Sequence, residues 1–119
     1  EEQCRALLAG RPAGSSTTRT LRQTLLERPG VFPPLPAAAA AMGLSTRTLR
    51  RRLANEGTSY RVELEGLRRE LAARYLADTG LSVSETAARL GYADVAAFGH
   101  AFRRWYGQSP GRWQRGHRT

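Results

Sequence analysis

Lysine is absent from this chain of 119 residues: its 19 basic residues are all arginine, set against 10 acidic ones, for a formal net charge of +9 and an isoelectric point near 11.3. Cysteine occurs once, at Cys4, so no internal disulfide can form; the expectation is a free surface thiol in a reducing compartment. Imidazole is equally scarce. His100 and His117 have no partners at ligand spacing, and one cysteine cannot complete a structural zinc site, so no metal is expected. No nucleophile elbow or phosphate-binding glycine loop is present, and the serines fall mainly where helix caps would use them, so neither catalysis nor a cofactor is expected. No apolar run approaches the ~20 residues that cross a bilayer, and no signal-peptide pattern opens the chain. The expectation is a soluble, intracellular protein of about one domain, without room for a large catalytic cleft.

What is abundant is arginine, and its distribution carries information. An arginine- and alanine-rich usage partly follows genomic base composition, but that does not explain where the arginines cluster. The guanidinium is a planar fork that grips guanine edges or phosphates with two hydrogen bonds, so the charge balance favours nucleic acid as partner.

Along the chain, Gly10 to Thr18 is small and polar with Pro and Gly, a linker by composition, and residues 1–18 read as a linker or the tail of a preceding domain. From Thr20, Leu21, Leu25 and Leu26 recur at helical spacing up to Arg28, where Pro29-Gly30 stops the helix. Pro33-Pro34 makes a stiff turn, Pro36 suits a first helical turn, and Ala37 to Ala41 predicts a short helix closed by Met42-Gly43. Ser45 caps the next helix, which buries Leu49 and Leu53 and ends at Asn55-Glu56-Gly57. Ser59 caps a long helix with Tyr60, Leu64, Leu67, Leu71 and Tyr75 on one stripe, ending at Asp78-Thr79-Gly80. At 1.5 Å per residue its roughly twenty residues span about 30 Å, close to the ~34 Å between successive major-groove faces of B-DNA, so it suits a spacer. After Leu81, Ser82 or Ser84 caps a short helix; Gly91-Tyr92 turns; Asp94 caps a helix carrying Phe98, Phe102 and Trp105 up to Gly107; and Ser109-Pro110 opens a last helix with Trp113. No segment alternates with period 2, so the fold class is all-α. The expected partition places a DNA-binding domain over 19–116, with a first lobe at about 19–57, a linker helix at 59–78 and a second lobe at 81–116.

Two of these stretches repeat one phrase. Ala39 and Ala87 each sit four positions before a turn glycine, Gly43 and Gly91, and a hydrophobic residue and a new helix follow each glycine. Glycine can take φ > 0 there, and the small residue lets two helices approach closely, as in a helix-turn-helix. The glycines lie 48 residues apart, whereas Leu49 and Phe98, and Leu53 and Phe102, lie 49 apart, so the second turn is one residue longer.

With the leucines buried, Arg47, Arg50 and Arg51 share one outward stripe of the first unit's second helix. Such a helix fits the major groove, where an arginine fork pairs with guanine O6 and N7. The plainer alternative is a solvated basic face. Arg52 points differently, toward the core rim or a phosphate. The matching positions of the second unit are Ala96, Gly99 and His100, a poorer reading face that can offer a thymine-methyl contact and one hydrogen bond, unless His100 merely packs. Arg103 and Arg104 suit phosphates, which position a protein without reporting sequence, and Ser45 is grouped with them and Arg52 as a phosphate contact. The aromatics Tyr60, Tyr75, Tyr92, Phe98, Phe102 and Trp105 could stack bases, but their helical spacing points to core packing, and Trp113 joins them.

These residues form a family pattern. The run Leu44 to Tyr60, then Leu67-Arg68-Arg69-Glu70-Leu71-Ala72, then Gly91-Tyr92 through Ala97-Phe98, Ala101-Phe102-Arg103-Arg104-Trp105, Gly107 and Ser109-Pro110 resembles the DNA-binding domain of the AraC/XylS family of bacterial transcription regulators. The likeness covers about Thr20 to Arg115. It implies a seven-helix domain in which a long helix joins two helix-turn-helix lobes that enter adjacent major grooves of double-stranded DNA. It also implies activation through RNA polymerase, a cytoplasmic bacterial protein associated with the nucleoid when bound, and a separate effector-sensing or dimerisation domain on the N-terminal side. Residues 1–18 are too few for that domain, and the chain opens at Glu1, so a C-terminal piece of a longer regulator is expected. In the family scheme Arg47, Arg50 and Arg51 match first-lobe base-reading positions and Ala96, Gly99 and His100 those of the second. The family commonly has polar residues at the latter, so the departure weakens second-lobe readout. Two other functions remain open: a non-specific nucleic-acid packager, and a protein-interaction module that recruits polymerase without reading DNA.

Overall fold

A computed structural model describes residues 16–28 and 31–117. Among them are seven helices and no strands: α1 (Ser16–Leu26), α2 (Leu35–Ala41), α3 (Thr46–Asn55), α4 (Tyr60–Ala77), α5 (Val83–Arg89), α6 (Val95–Tyr106) and α7 (Pro110–His117). The described residues divide into two compact units, 16–28 with 33–65, and 31–32 with 66–117, so α4 contributes to both. None of these helices is long and apolar enough to cross a membrane.

In the first unit α1, α2 and α3 pack on one another, burying Leu21 and Leu25, Ala38 and Ala39, and Leu49 and Leu53. Pro36 sits in the first turn of α2, where its missing N–H costs nothing. The α1 helix begins at Ser16, earlier than the composition predicts, so Ser16 to Thr18 is helix rather than linker; Gly10 to Ser15 and Cys4 lie outside the described residues. The cause lies far along the chain. Glu56 supplies a carboxylate to first-turn amides that have no acceptor within the helix, accepting from Thr18 N at 2.9 Å and Thr17 N at 3.3 Å. Leu26 is exposed and does not extend the buried stripe of α1.

In the second unit α6 packs on α5 and α7. Its core is aromatic: Phe102 lies with its ring centroid 5.7 Å from Phe98 and 5.5 Å from Trp113, and Tyr106 stands 4.7 Å from Phe102. Phe98, Phe102 and Trp113 are buried in this core, as their spacing predicts, whereas Tyr92 and Trp105, expected there too, are half-buried, as is Tyr106. The buried amide of Gln114 donates to the carbonyls of Leu76 at 3.1 Å and Leu81 at 2.7 Å, tying α7 to the end of α4.

The buried residues of α4 differ from the predicted stripe. Leu67 and Leu71 are buried as expected, but Ala72, Leu76 and the carboxylate-bearing Glu63 are buried too, whereas Tyr60, Leu64 and Tyr75 are half-buried. Glu63 is tolerated because it is fully engaged: Arg22 Nε donates to it at 2.8 Å and the Thr58 hydroxyl donates to its other oxygen. Tyr60 is half-buried, and its hydroxyl donates to the carbonyl of Pro33.

Candidate nucleic-acid interface

The repeated phrase folds into the same turn twice. After α2, Gly43 N donates to Ala40 O at 3.0 Å and Leu44 N to Ala39 O at 2.9 Å; after α5, Gly91 N donates to Ala88 O and Tyr92 N to Ala87 O, both at 3.1 Å. Both are Schellman closures, and they need a left-handed residue, which glycine supplies at φ 74° for Gly43 and 84° for Gly91. Ala39 and Ala87 are buried beneath the turns they close.

The helices that follow are capped four residues before their first core side chain. Ser45 accepts from Thr48 N at 3.1 Å and Asp94 from Ala97 N at 2.8 Å. Because Ser45 stands two residues after Gly43 and Asp94 three after Gly91, the second turn carries one extra residue, as the spacing predicts. Of the two serines that could cap α5, Ser82 does so, in a capping box with Glu85. That box holds the Glu85 carboxyl below its ordinary pKa, chiefly through the backbone amide of Ser82.

On α3, Leu49 and Leu53 are fully buried while Arg47, Arg50, Arg51 and Arg52 are all exposed. None of the four has an ion-pair partner among the described residues. Four unneutralised guanidinium groups on one short helix are electrostatically costly unless an anion meets them. Ser45 is exposed at the head of this helix, its hydroxyl donating to Thr48 Oγ1 at 3.0 Å while its oxygen serves the cap. Beside the arginine stripe lies a cleft of about 390 Å³ lined by Leu35, Arg50, Ala54, Thr58, Ser59, Tyr60 and Arg61. The sequence reading missed Arg61, which lines that cleft together with Arg50 and adds a further cation to it.

On α6, Ala96 and His100 are exposed and Gly99 is half-buried, so the three share an outward face that carries no guanidinium. Arg103 and Arg104 are exposed in its last turn. The two second helices therefore share a scaffold but differ in surface chemistry. Also missed was Arg68 of α4, whose Nε donates to Leu90 O at 3.0 Å beneath the second turn. Its signal was an arginine lying among Leu64, Leu71 and Ala72 on one helical stripe.

A family profile described as a helix-turn-helix domain matches residues 38–116. The chain is 43% identical over 110 residues to the ornithine utilization regulator of Pseudomonas aeruginosa, covering 92% of this chain and 32% of that protein. It is 40% identical over 113 residues to an HTH-type transcriptional regulator of Mycobacterium tuberculosis, covering 95% of this chain and 33% of the relative. The chain thus spans about a third of the length of the curated relatives it matches. Among solved structures it resembles the DNA-binding domain of the transcription factor AdpA, in complex with a target DNA, with TM-score 0.72 and 28% identity over 86% of this chain and 93% of that one. Fold, turn geometry and these likenesses agree: the chain belongs to the AraC/XylS family of helix-turn-helix transcription regulators, DNA-binding proteins and not enzymes.

Proposed function

We propose that this domain reads a specific operator in double-stranded DNA mainly through the first lobe, with Arg47, Arg50 and Arg51 contacting base edges from α3. The observation that carries this reading is the exposed, unpaired arginine stripe on a helix whose opposite face is fully buried. A bidentate arginine–guanine contact is worth about 1–3 kcal/mol of discrimination, so two or three such contacts suffice for an operator preference. Ser45 and Arg52 flank the stripe as phosphate contacts. The second lobe enters the adjacent major groove with Ala96, Gly99 and His100 toward the bases and Arg103 and Arg104 toward phosphates, anchoring more than reading. The lobes are taken as about 19–57 and 81–116, with the helix at 59–78 between them.

Within a longer bacterial protein, the domain works in the cytoplasm, on the nucleoid when bound, behind an N-terminal effector or dimerisation domain. It activates transcription by contacting RNA polymerase, as its family resemblance implies. Selection of binding sites from random duplex DNA, followed by hydroxyl-radical footprinting, tests the reading. Protection over two adjacent major grooves with strong base preference in only one supports it; uniform protection without base preference points to a non-specific packager instead.

A further inference from the structure

We propose that Arg68 is the positioning residue of the second helix-turn-helix: it clasps the chain on both sides of Gly91 and so sets how α6 is presented to DNA. Leu90, the C-cap residue between α5 and the turn glycine, gives its carbonyl to Arg68 Nε at 3.0 Å. Tyr92, the first residue after that glycine, places its ring centroid 4.9 Å from the Arg68 guanidinium carbon, and the Phe32 ring lies at 5.4 Å. Both distances fall within the range in which an aromatic face attracts a cation. The Tyr92 ring lies 5.5 Å from Phe98, which is fully buried on α6. A continuous set of contacts therefore runs from α4 through Arg68 and the turn to the core face of α6.

Four features make this more than packing. Arg68 is half-buried and no carboxylate pairs with it among the described residues, so its charge is directed at the turn. The carbonyl it engages closes α5, the negative end of that helix. The first lobe has no counterpart: among the described residues no arginine donates to the carbonyl of Met42, the residue equivalent to Leu90. The second turn is also the longer one, with Ala93 inserted before the Asp94 cap, and a longer connection leaves more freedom for an external clasp to remove. Lysine could replace the group only in part, since a planar guanidinium can donate from its edge while its faces meet rings, and an ammonium has no such faces.

The DNA consequence rests on the proposed anchoring role of α6, so the test reads the clasp and the anchor separately. Hydrogen exchange is measured on the full chain for wild type, Arg68→Met, Arg68→Lys and a core control, Leu76→Val, followed by footprinting on the selected duplex. In Arg68→Met the amides of Tyr92, Ala97 and Phe98 should exchange about ten-fold faster while those of Leu49 to Leu53 are unchanged. Arg68→Lys should fall between, and Leu76→Val should not single out the turn. Protection should contract from the α6 side, with affinity falling about ten-fold. Wild-type exchange at the turn in both Arg68 variants, or a Leu76→Val pattern identical to theirs, overturns the assignment. If Arg68→Met does not fold, Arg68→Lys decides by the same amides. If turn exchange accelerates yet neither Arg68→Met nor loss of Arg103 and Arg104 alters the footprint, the clasp stands and the anchoring role of α6 is what fails.

Discussion

The carboxylate of Glu56 accepts the backbone amide of Thr18 at 2.9 Å, so the residue that closes α3 also caps the start of α1. Thr17 N and the Thr18 hydroxyl complete the site. Burial pushes the Glu56 pKa up, but the hydrogen bonds from Thr18 and Thr17 outweigh it and hold the carboxyl below its ordinary value. A folded pKa below the unfolded one means that the stabilisation is present above the ordinary carboxylate range and is lost as pH falls through the folded value.

Glu56→Gln should therefore cost about 1 kcal/mol near neutrality, the scale of a lost helix cap. The gap to wild type should close as the solution is acidified. Urea denaturation at neutral and acidic pH measures it; a gap of the same size at every pH would show that charge on Glu56 contributes nothing.

Alanine at Arg47, Arg50 or Arg51 should change specificity without changing the fold. All three side chains are exposed and unpaired, so stability should shift by less than about 0.5 kcal/mol. Preference for the selected operator over random duplex should fall by about 1–3 kcal/mol for a residue with a bidentate base contact. Fluorescence anisotropy with both duplexes at one salt concentration separates the outcomes. Equal losses on operator and random DNA would reduce the stripe to a phosphate-binding face.

Arg103 and Arg104 should behave in the opposite way. Each phosphate contact contributes roughly 0.9 to the slope of log affinity against log salt, so removing both should flatten that slope by about 2. The ratio of operator to random binding should stay constant. A ratio that collapses while the slope holds would make α6 a base reader after all.

What could be read from the sequence is what local chemistry decides. The caps Ser45 and Asp94 and the turn glycines Gly43 and Gly91 act within a few residues of themselves, and the structure has them where the spacing placed them. The stripe of α4 was only half legible. Periodicity weighs a tyrosine as apolar, so it selected Tyr60 and Tyr75 over Ala72 and Leu76, yet a tyrosine can lie at a rim with its hydroxyl outward. Glu56, Glu63 and Arg68 were hidden for a different reason. Their partners lie 38, 41 and 22 residues away, and a charged residue on a helix reads as solvent-facing until a distant group is known to meet it. The candidate interface was legible because exposure follows directly from the burial of Leu49 and Leu53, whereas the clasp beneath the second turn depends on tertiary contacts alone.

Thr86 of α5 tests how much of the second lobe's scaffold is polar by need. It is fully buried, and its Oγ1 finds no hydrogen-bond partner among the described residues. Its counterpart 48 residues earlier is Ala38, equally buried and without a hydroxyl, so the motif itself does not require a polar group there. A buried hydroxyl that has given up water without gaining a partner costs about 1–3 kcal/mol, while its methyl group still fills space. Thr86→Val keeps the branched shape and should raise stability by about 1 kcal/mol. Thr86→Ala relieves the same hydroxyl but opens a void, so it should recover less or lose stability. Chemical denaturation of the two variants separates the polar contribution from the packing one. A valine variant less stable than wild type would mean that the hydroxyl is hydrogen-bonded in solution and that this position differs from Ala38 for a polar reason.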